Sequence, residues 1–328
     1  MAPMKRIEAA AFIAVDWGTS NARFALCDAD GKALELRKGP GAVESRGRFA
    51  EVFDSQTADW RTSNAGLTAW LCGMAGSAIG WVETPYLPAP VPLHELADAP
   101  VKIREGVYVV PGMRCTNPLG APDVMRGEET QLFGALRMGA LQGQGHQLVC
   151  MPGTHTKWAA VAGESLQEFL TAPTGEVFAA LCEHTVLVRD KTTPVTQVPA
   201  EFERGLAEAS KHRGLLLHQI FQARSLRLDK QLAPEGAASW LSGLLIGADV
   251  NGALGLFEEH DSSGPVVVIG APQLTASYAQ ALSKAGRKSV EVEGSVAALA
   301  GLAHVFRANA IQEGAIQDGA LREGGEGA

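Results

Sequence analysis

The sequence lacks the features that mark nucleic-acid-binding and membrane proteins. Its 328 residues carry 28 Lys and Arg against 36 Asp and Glu, a formal net charge of −8, so no basic field is available to hold a polyanion. No apolar run approaches the roughly 20 residues that a bilayer-spanning helix needs, and the run near the N-terminus is interrupted at Asp16. We therefore expect a cytosolic protein with no nucleic-acid or membrane partner.

Cysteine is scarce and irregularly placed. No CxxC pair occurs, and the eight histidines show no metal-ligand spacing. The five cysteines are Cys27, Cys72, Cys115, Cys150 and Cys182, and four of them lie in or beside apolar runs. Buried, reduced thiols are the expectation, rather than a disulfide framework or a structural metal site.

What the chain does have is enough apolar sequence for two compact domains. Hydrophobic residues make up 46% of it, and short apolar strands alternate with helix-like segments, a pattern typical of α/β layers around mixed sheets. A Pro-rich stretch from Pro85 to Pro100 is expected to be a loop or extended segment. Helices are predicted over residues 47–62, 127–142, 201–230, 237–257 and 295–308.

Two strand meanders, over residues 12–36 and 148–170, share one design. In each, a buried strand enters a polar turn at a Gly-Thr pair, Gly18-Thr19 and Gly153-Thr154. Two similar halves far apart in the chain indicate a duplicated domain. We expect a first lobe over 1–142, rejoined by a helix over 295–312, a second lobe over 145–294, and a disordered tail over 313–328.

The polar turns suit phosphate oxygens, because glycine lets the backbone approach a ligand closely. Asp16 ends a hydrophobic strand, where an unpaired carboxylate is unfavourable; holding Mg²⁺ would explain it, and so would hydrogen bonds from its own turn. The buried strand VVVIG ends at Gly270 before a loop and a helix, so adenine or ribose could lie against that backbone. Taken alone, this segment is better explained as an ordinary strand–loop–helix joint.

Taken together, these segments resemble a known group of ATP-dependent proteins. DWGTSNAR, GTHTKW and VIGAPQL are similar, in this order, to the first phosphate, second phosphate and adenosine motifs of the sugar kinase/actin/Hsp70 superfamily. Further segments resemble the 2-dehydro-3-deoxygalactonokinase family, so that the likeness extends to about residue 308. These segments are CGMAGSAIGWVETPY (72–86), PDVMRGEETQLFGAL (122–136), MPGTHTKW (151–158) and TGEVFAALCEHTVL (174–187). One departure is Ala271, which stands where the superfamily usually has a second glycine.

The resemblance implies two ribonuclease H-like lobes with the active site in the cleft between them. It implies transfer of the γ-phosphoryl group of Mg·ATP to the C6 hydroxyl of 2-dehydro-3-deoxy-D-galactonate, in galactonate catabolism, by a protein that could form a homodimer. Asp16 would then hold the Mg²⁺ shell. The phosphates would meet Gly18, Thr19, Ser20, Gly153, Thr154 and Lys157, although Lys157 could equally be a surface lysine. The alternatives are a kinase for another sugar acid or hexose, or a non-catalytic sugar-responsive or actin-like protein.

A general base for the acceptor hydroxyl should be a carboxylate near the cleft. Related sugar kinases carry it in a Gly-Asp-Gln segment that is similar to Gly127-Glu128-Glu129. Asp123, Glu128 and Glu129 all remain candidates, with Glu128 preferred. The acidic pair could instead stabilise a helix N-terminus.

An acidic substrate needs local positive charge or hydrogen-bond donors. Arg23 on the first hairpin and Arg126 beside the base candidates are the predicted anchors, unless they form structural ion pairs. The glycine-rich loop with Gly73, Gly76 and Ser77 could bring sugar hydroxyls to backbone groups.

Overall fold

The computed structural model describes residues 7–142, 145–188, 197–212, 214–258 and 264–312. The chain divides into two compact units: unit 1 contains residues 1–115, 124–143 and 294–328, and unit 2 contains 116–123 and 144–293. The sequence-based division differs from this one at residues 116–123, which group with unit 2. The predicted tail at 313–328 lies outside the described residues. Within the described ranges, no helix is long and apolar enough to cross a membrane.

The secondary structure alternates strands and helices. The strands are β1 (Phe12–Trp17), β2 (Asn21–Cys27), β3 (Ala33–Pro40), β4 (Thr68–Gly73), β5 (Tyr86–Pro88), β6 (Val91–Pro92), β7 (Val101–Arg104), β8 (Val107–Val109), β9 (Gly112–Thr116), β10 (Pro122–Met125), β11 (His146–Met151), β12 (Thr156–Ala162), β13 (Ser165–Ala172), β14 (Val266–Gly270) and β15 (Ser289–Glu293). The α-helices are α1 (Phe49–Ser63), α2 (Glu128–Arg137), α3 (Thr174–His184), α4 (Pro199–Lys211), α5 (Leu216–Ile220), α6 (Gln222–Leu228), α7 (Ala237–Leu256), α8 (Pro272–Lys284) and α9 (Gly294–Gln312).

Unit 1 is built on a sheet with strand order β3-β2-β1-β4-β8-β7. The β1–β2 and β2–β3 pairs are antiparallel, whereas β1–β4 and β4–β8 are parallel. Alternate residues of β1 face opposite sides: Val15 packs with Phe53 of α1 in one core, and Phe12 stacks on Phe306 of α9 with ring centroids 4.4 Å apart. Because helices cover both faces of β1, this strand is apolar nearly throughout.

Unit 2 repeats the plan with strands in the order β15-β14-β11-β12-β13. Here β11–β12 and β12–β13 are antiparallel, and β11–β14 and β14–β15 are parallel. Its core joins Trp158 of β12 and Val268 of β14 to Phe202, Val250 and Tyr278 of the helices. The repetition confirms the predicted α/β architecture of two related halves.

Some predicted elements have different bounds. Residues 201–230 form three helices instead of one, since α4 ends at Lys211 and Gly214 takes a positive φ of 88°. The helix predicted over 127–142 ends at Arg137, shortly before Gly139, whose φ is +74°. The Pro-rich stretch contains the short strands β5 and β6 and a 3₁₀ turn over Leu93–Ala97.

Helices α2 and α9 approach each other through glycine. A Cβ on Gly134 would collide with the carbonyl oxygen of Ala297, and one on Gly301 would collide with that of Thr130. Gly139 lies beyond the end of α2, so the close contact is made by Gly134 and not by Gly139.

We expect Gly134→Ala to lower the free energy of unfolding by about 2 kcal/mol, although alanine is the better helix former, because the added methyl group forces the two helices apart. Urea unfolding measures the change. Gly252→Ala in α7 is the matched control: a Cβ there meets nothing within 4 Å, so this variant should be neutral or more stable. Equal stability changes in the two variants would contradict the packing argument.

Candidate active site

The turn predicted to bind the first phosphates, at Gly18–Ser20, joins β1 to β2 in unit 1. The Gly18 N–H donates to the Asn21 carbonyl at 2.9 Å, and the Gly18 carbonyl accepts the Ala42 N–H at 3.0 Å. The backbone of the turn is therefore held from both sides. Thr19 and Ser20 are exposed at its tip.

Asp16 lies at the end of β1, between Arg23 of β2 and Cys72 of β4. Its Oδ2 accepts a hydrogen bond from Arg23 Nη1 at 3.0 Å, and the Cys72 Sγ lies 3.9 Å from its Oδ1. Burial raises the pKa of Asp16, and the charge of Arg23 opposes that rise. Arg23 was predicted to anchor the substrate unless it formed a structural ion pair. It does form an ion pair, with Asp16.

A magnesium ion fits Asp16 only as part of a nucleotide complex. Among the described residues, no group of three His, Cys, Asp or Glu side chains is arranged to hold a metal. Mg²⁺ in phosphoryl-transfer sites is usually held by one or two carboxylates, waters and the phosphates themselves. A single carboxylate beside a phosphate turn meets that requirement.

Two glycines bring the loop after β4 and the start of α2 next to the end of β1. Gly73 has a φ of +77°, and a Cβ there would lie 2.6 Å from the Trp17 carbonyl oxygen. Gly127 has a φ of +109°, and its Cβ would lie 3.2 Å from the Cα of Gly73. The glycine-rich loop and the acidic segment at Glu128 thus adjoin the strand that carries Asp16.

The adjacent carboxylates Glu128 and Glu129 have different environments. Glu128 is half-buried, and its Oε2 accepts the Arg126 N–H at 3.1 Å. Glu129 is fully buried; its oxygens accept hydrogen bonds from the Gly127 N–H at 2.6 Å and the Thr130 hydroxyl at 3.0 Å. Burial, and then the charge of Glu128, raises the pKa of Glu129 to about 7. Only Glu128 of this pair has an accessible side chain.

Asp123, the third base candidate, belongs to unit 2. Its two oxygens accept the Thr171 hydroxyl at 2.6 Å and the Thr171 N–H at 2.8 Å. Lys157 donates to the same Thr171 hydroxyl at 2.7 Å and is only 7% exposed, so its alternative interpretation as a surface lysine is wrong. These contacts explain why residues 116–123 group with unit 2.

Arg126 braces the glycine-rich loop. Its guanidinium lies 4.2 Å from the Tyr86 ring centroid, its Nη2 donates to the Thr84 carbonyl at 2.9 Å, and its Nη1 donates to the Thr84 hydroxyl. A Cβ on Gly76 would lie 2.7 Å from Nη1. Ser77 closes the loop by donating its hydroxyl to a backbone carbonyl at 2.9 Å. Several donors of Arg126 are thus engaged with protein groups.

The predicted second phosphate turn, at Gly153 and Thr154 in unit 2, is packed against the first turn of α3. The Glu176 N–H donates to the Thr154 carbonyl at 2.9 Å. A Cβ on Gly175 would collide with the Gly153 carbonyl oxygen. Glycine at position 175 therefore allows α3 to begin in contact with the turn.

The proposed adenosine loop lies beside this turn. Strands β11 and β14 are parallel neighbours, so their carboxyl ends meet at one edge of the sheet. A Cβ on Gly270 would lie 3.2 Å from the carbonyl oxygen of Pro152, which immediately precedes Gly153. The Gly270 loop and the turn at Gly153, which are far apart in the sequence, therefore lie next to each other.

The sequence analysis missed Asp249 of α7. Its carboxylate accepts hydrogen bonds from Trp158 Nε1 at 2.9 Å and from the Thr174 and Tyr278 hydroxyls, both at 2.7 Å. Burial raises the pKa of Asp249, and these three donors oppose the rise. A signal was present in the sequence: Asp249 is the only charged residue of this 20-residue helix.

Comparison with known proteins identifies a family that this chain resembles over most of its length. The model of the 2-keto-3-deoxy-galactonokinase family matches residues 16–305. The 2-dehydro-3-deoxygalactonokinase of Escherichia coli (strain K12) is 32% identical over 301 residues, which cover 91% of this chain and 98% of the relative.

Solved structures support the fold as well. A crystal structure of a candidate 2-dehydro-3-deoxygalactonokinase from Sinorhizobium meliloti superposes with a TM-score of 0.82 at 33% identity, covering 91% of this chain and 99% of that one. An activator of 2-hydroxyisocaproyl-CoA dehydratase from Clostridium difficile, solved with bound ADPNP, has a TM-score of 0.52 at 7% identity, covers 94% of this chain and 98% of its own, and is similar in fold alone. The match of the family model over residues 16–305, together with these relatives, shows that the chain belongs to the 2-keto-3-deoxy-galactonokinase family.

Proposed function

We propose that this protein transfers the γ-phosphoryl group of ATP to the C6 hydroxyl of 2-dehydro-3-deoxy-D-galactonate, releasing the 6-phosphate and ADP. The observation that carries the proposal is the family match over residues 16–305, which includes both Gly-Thr turns and the Gly270 loop. Phosphoryl transfer depends mainly on positioning and charge neutralisation, and two phosphate turns at strand ends supply such positions.

In unit 1, the turn at Gly18–Ser20 would receive the β- and γ-phosphates through its N–H and hydroxyl groups. Asp16 would hold the Mg²⁺ shell. When bound, Mg²⁺ neutralises charge on the phosphate oxygens during transfer. The Arg23 ion pair supports this role, because a neighbouring guanidinium favours the ionised form of a partly buried carboxylate.

We propose Glu128 as the general base. Its side chain is half-buried rather than enclosed, and the Arg126 N–H orients one carboxylate oxygen. Each oxygen of Glu129 accepts a hydrogen bond from an internal donor, and the residue is fully buried, so its side chain is less accessible to a substrate hydroxyl than that of Glu128. The acceptor would lie against the loop of Gly73 and Ser77.

In unit 2, the N–H groups of Gly153 and Thr154 would face the phosphates, with Lys157 nearby on β12. Adenosine would lie against Gly270, whose loop adjoins Pro152. The phosphate motifs are similar to those of sugar kinases in general, so a kinase for another sugar acid or a hexose is the second candidate.

An acceptor panel tests the proposal. We expect ADP release in a coupled assay with Mg·ATP to be fastest, by at least about tenfold in kcat/KM, with 2-dehydro-3-deoxy-galactonate, compared with 2-dehydro-3-deoxy-gluconate, galactose and glucose. Selectivity of this size corresponds to one or two substrate hydrogen bonds.

Each outcome of the panel has a definite meaning. Fast release with a different acceptor would retain the kinase chemistry and overturn the substrate. No release with any acceptor, together with ATP-dependent sedimentation, would favour an actin-like assembly protein. No release without sedimentation would favour a sugar-responsive protein of the same fold.

A further inference from the structure

Asp249 connects three elements that are distant in the chain. Trp158 belongs to β12, directly after the second phosphate turn; Thr174 is the first residue of α3; and Tyr278 lies in α8. All three donate to the one carboxylate of α7 at 2.7–2.9 Å. A carboxylate with three donors is a stronger and more directional anchor than an apolar contact would be.

The hydrogen bonds of this cluster continue from Asp249 through Tyr278 to Thr156, in the GTHTKW segment, and the donor of each bond can be assigned. The Tyr278 hydroxyl also lies 2.8 Å from the hydroxyl of Thr156, which is fully buried. Tyrosine has one hydroxyl proton, and Asp249 as a carboxylate can only accept. Tyr278 therefore donates to Asp249 and accepts from Thr156, so that two residues of the GTHTKW segment, Thr156 and Trp158, are tied to Asp249.

Thr174 connects Asp249 to α3, the helix that packs against the other side of the turn. The residue after it, Gly175, is in contact with the Gly153 carbonyl, and the next, Glu176, donates its N–H to the Thr154 carbonyl at 2.9 Å. Asp249 thus holds both the strand that leaves the turn and the helix that packs against it.

We propose that Asp249 is a positioning residue for the second phosphate turn. It fixes the turn against α3 before a nucleotide binds, so that the Gly153 and Thr154 N–H groups need no reorganisation to meet phosphate oxygens. The inference rests on the proposed function only in assigning phosphates to this turn. It concerns the phosphate groups of the nucleotide and not the adenosine or the sugar.

The test compares the binding of ADP and adenosine, each with Mg²⁺, to the full-length chain by isothermal titration calorimetry. Asp249→Asn and Thr174→Val should each weaken ADP binding about tenfold and leave adenosine binding within about twofold. Thr174→Ser keeps the hydroxyl and should restore ADP affinity. Thr185→Val is the matched control: it removes a hydroxyl that donates to the Leu181 carbonyl and accepts the Leu187 N–H at the far end of α3, and it should bind ADP like the wild type.

The outcomes separate positioning from a merely structural role. If Asp249→Asn does not fold, Thr174→Val with its serine rescue decides the question. The proposal is overturned if folded Thr174→Val binds ADP within twofold of the wild type, or if ADP and adenosine affinities fall in parallel. A wild-type chain that binds neither ADP nor adenosine refutes this proposal and the proposed function together. Selective loss of ADP affinity in a chain that phosphorylates no acceptor refutes only the proposed function.

Discussion

Asp16→Asn is expected to lower kcat about 1,000-fold while the protein remains folded. The loss corresponds to the several kcal/mol of charge stabilisation that a correctly held metal ion supplies to a transferring phosphoryl group. Folding should survive because asparagine has nearly the same shape, and because burial already disfavours the ionised form of Asp16. Arg23, the residue that loses its partner, has a side chain that is 54% exposed and can be solvated.

The measurement is steady-state turnover over a range of Mg²⁺ concentrations, with thermal unfolding as the check on folding. Asp54→Asn is the charge-matched control, since Asp54 lies on α1 of the same unit and pairs with Arg104. It should retain full turnover. Turnover of Asp16→Asn above one tenth of the wild-type value, with an unchanged Tm, would remove Asp16 from the site.

Glu129→Gln is expected to raise the free energy of unfolding at pH 8 by about 3 kcal/mol and to have little effect near pH 4.5. The pKa of Glu129 is about 7 in the folded protein, against an ordinary value of 4.5, because the carboxyl is buried. The folded protein holds this proton more tightly than the unfolded chain does. The stabilisation that the bound proton of Glu129 gives to the folded protein is therefore complete below pH 4.5 and is lost as the pH rises through 7. Glutamine carries no such proton, and its amide can satisfy both the Gly127 N–H and the Thr130 hydroxyl.

Urea unfolding at pH 5 and pH 8 measures this effect. Glu128→Gln is the comparison, because it removes one charge that raises the pKa of Glu129. The free energy of unfolding at pH 8 should therefore rise less than in Glu129→Gln. The kcat of Glu128→Gln should fall about 100-fold if Glu128 is the base. A stability difference between Glu129→Gln and the wild type that is the same at both pH values would contradict the burial argument. A larger loss of turnover in Glu129→Gln than in Glu128→Gln would move the base to Glu129.

The sequence predicted the features that depend on neighbouring residues. Apolar strands ending in Gly-Thr turns indicated two related α/β halves, and the structure confirms them as repeated sheets around β1–β2 and β11–β12. Gly270 was predicted at the end of a buried strand, and β14 does end there. Such patterns can be read from the sequence because strand alternation and turn chemistry act within a few residues.

The contacts of individual side chains could not be predicted in the same way. Arg23 and Arg126 were candidates for anchoring the substrate. The structure pairs Arg23 with Asp16 across two strands and places Arg126 on Thr84 and Tyr86, about forty positions away in the chain. Spacing in the sequence contains no information about which of several possible partners a long, flexible side chain finds.

By itself, the sequence determined the family and the repeated α/β halves, because each is encoded in short segments whose pattern is local. Only the tertiary structure decided that Asp123 belongs to unit 2, that Glu129 is enclosed while Glu128 is not, and that Asp249 accepts hydrogen bonds from Trp158, Thr174 and Tyr278. These properties follow from burial and from hydrogen bonds between residues as far apart as Trp158 and Asp249. Both arise only when distant segments pack together, since packing is what excludes water and raises the cost of an unpaired charge.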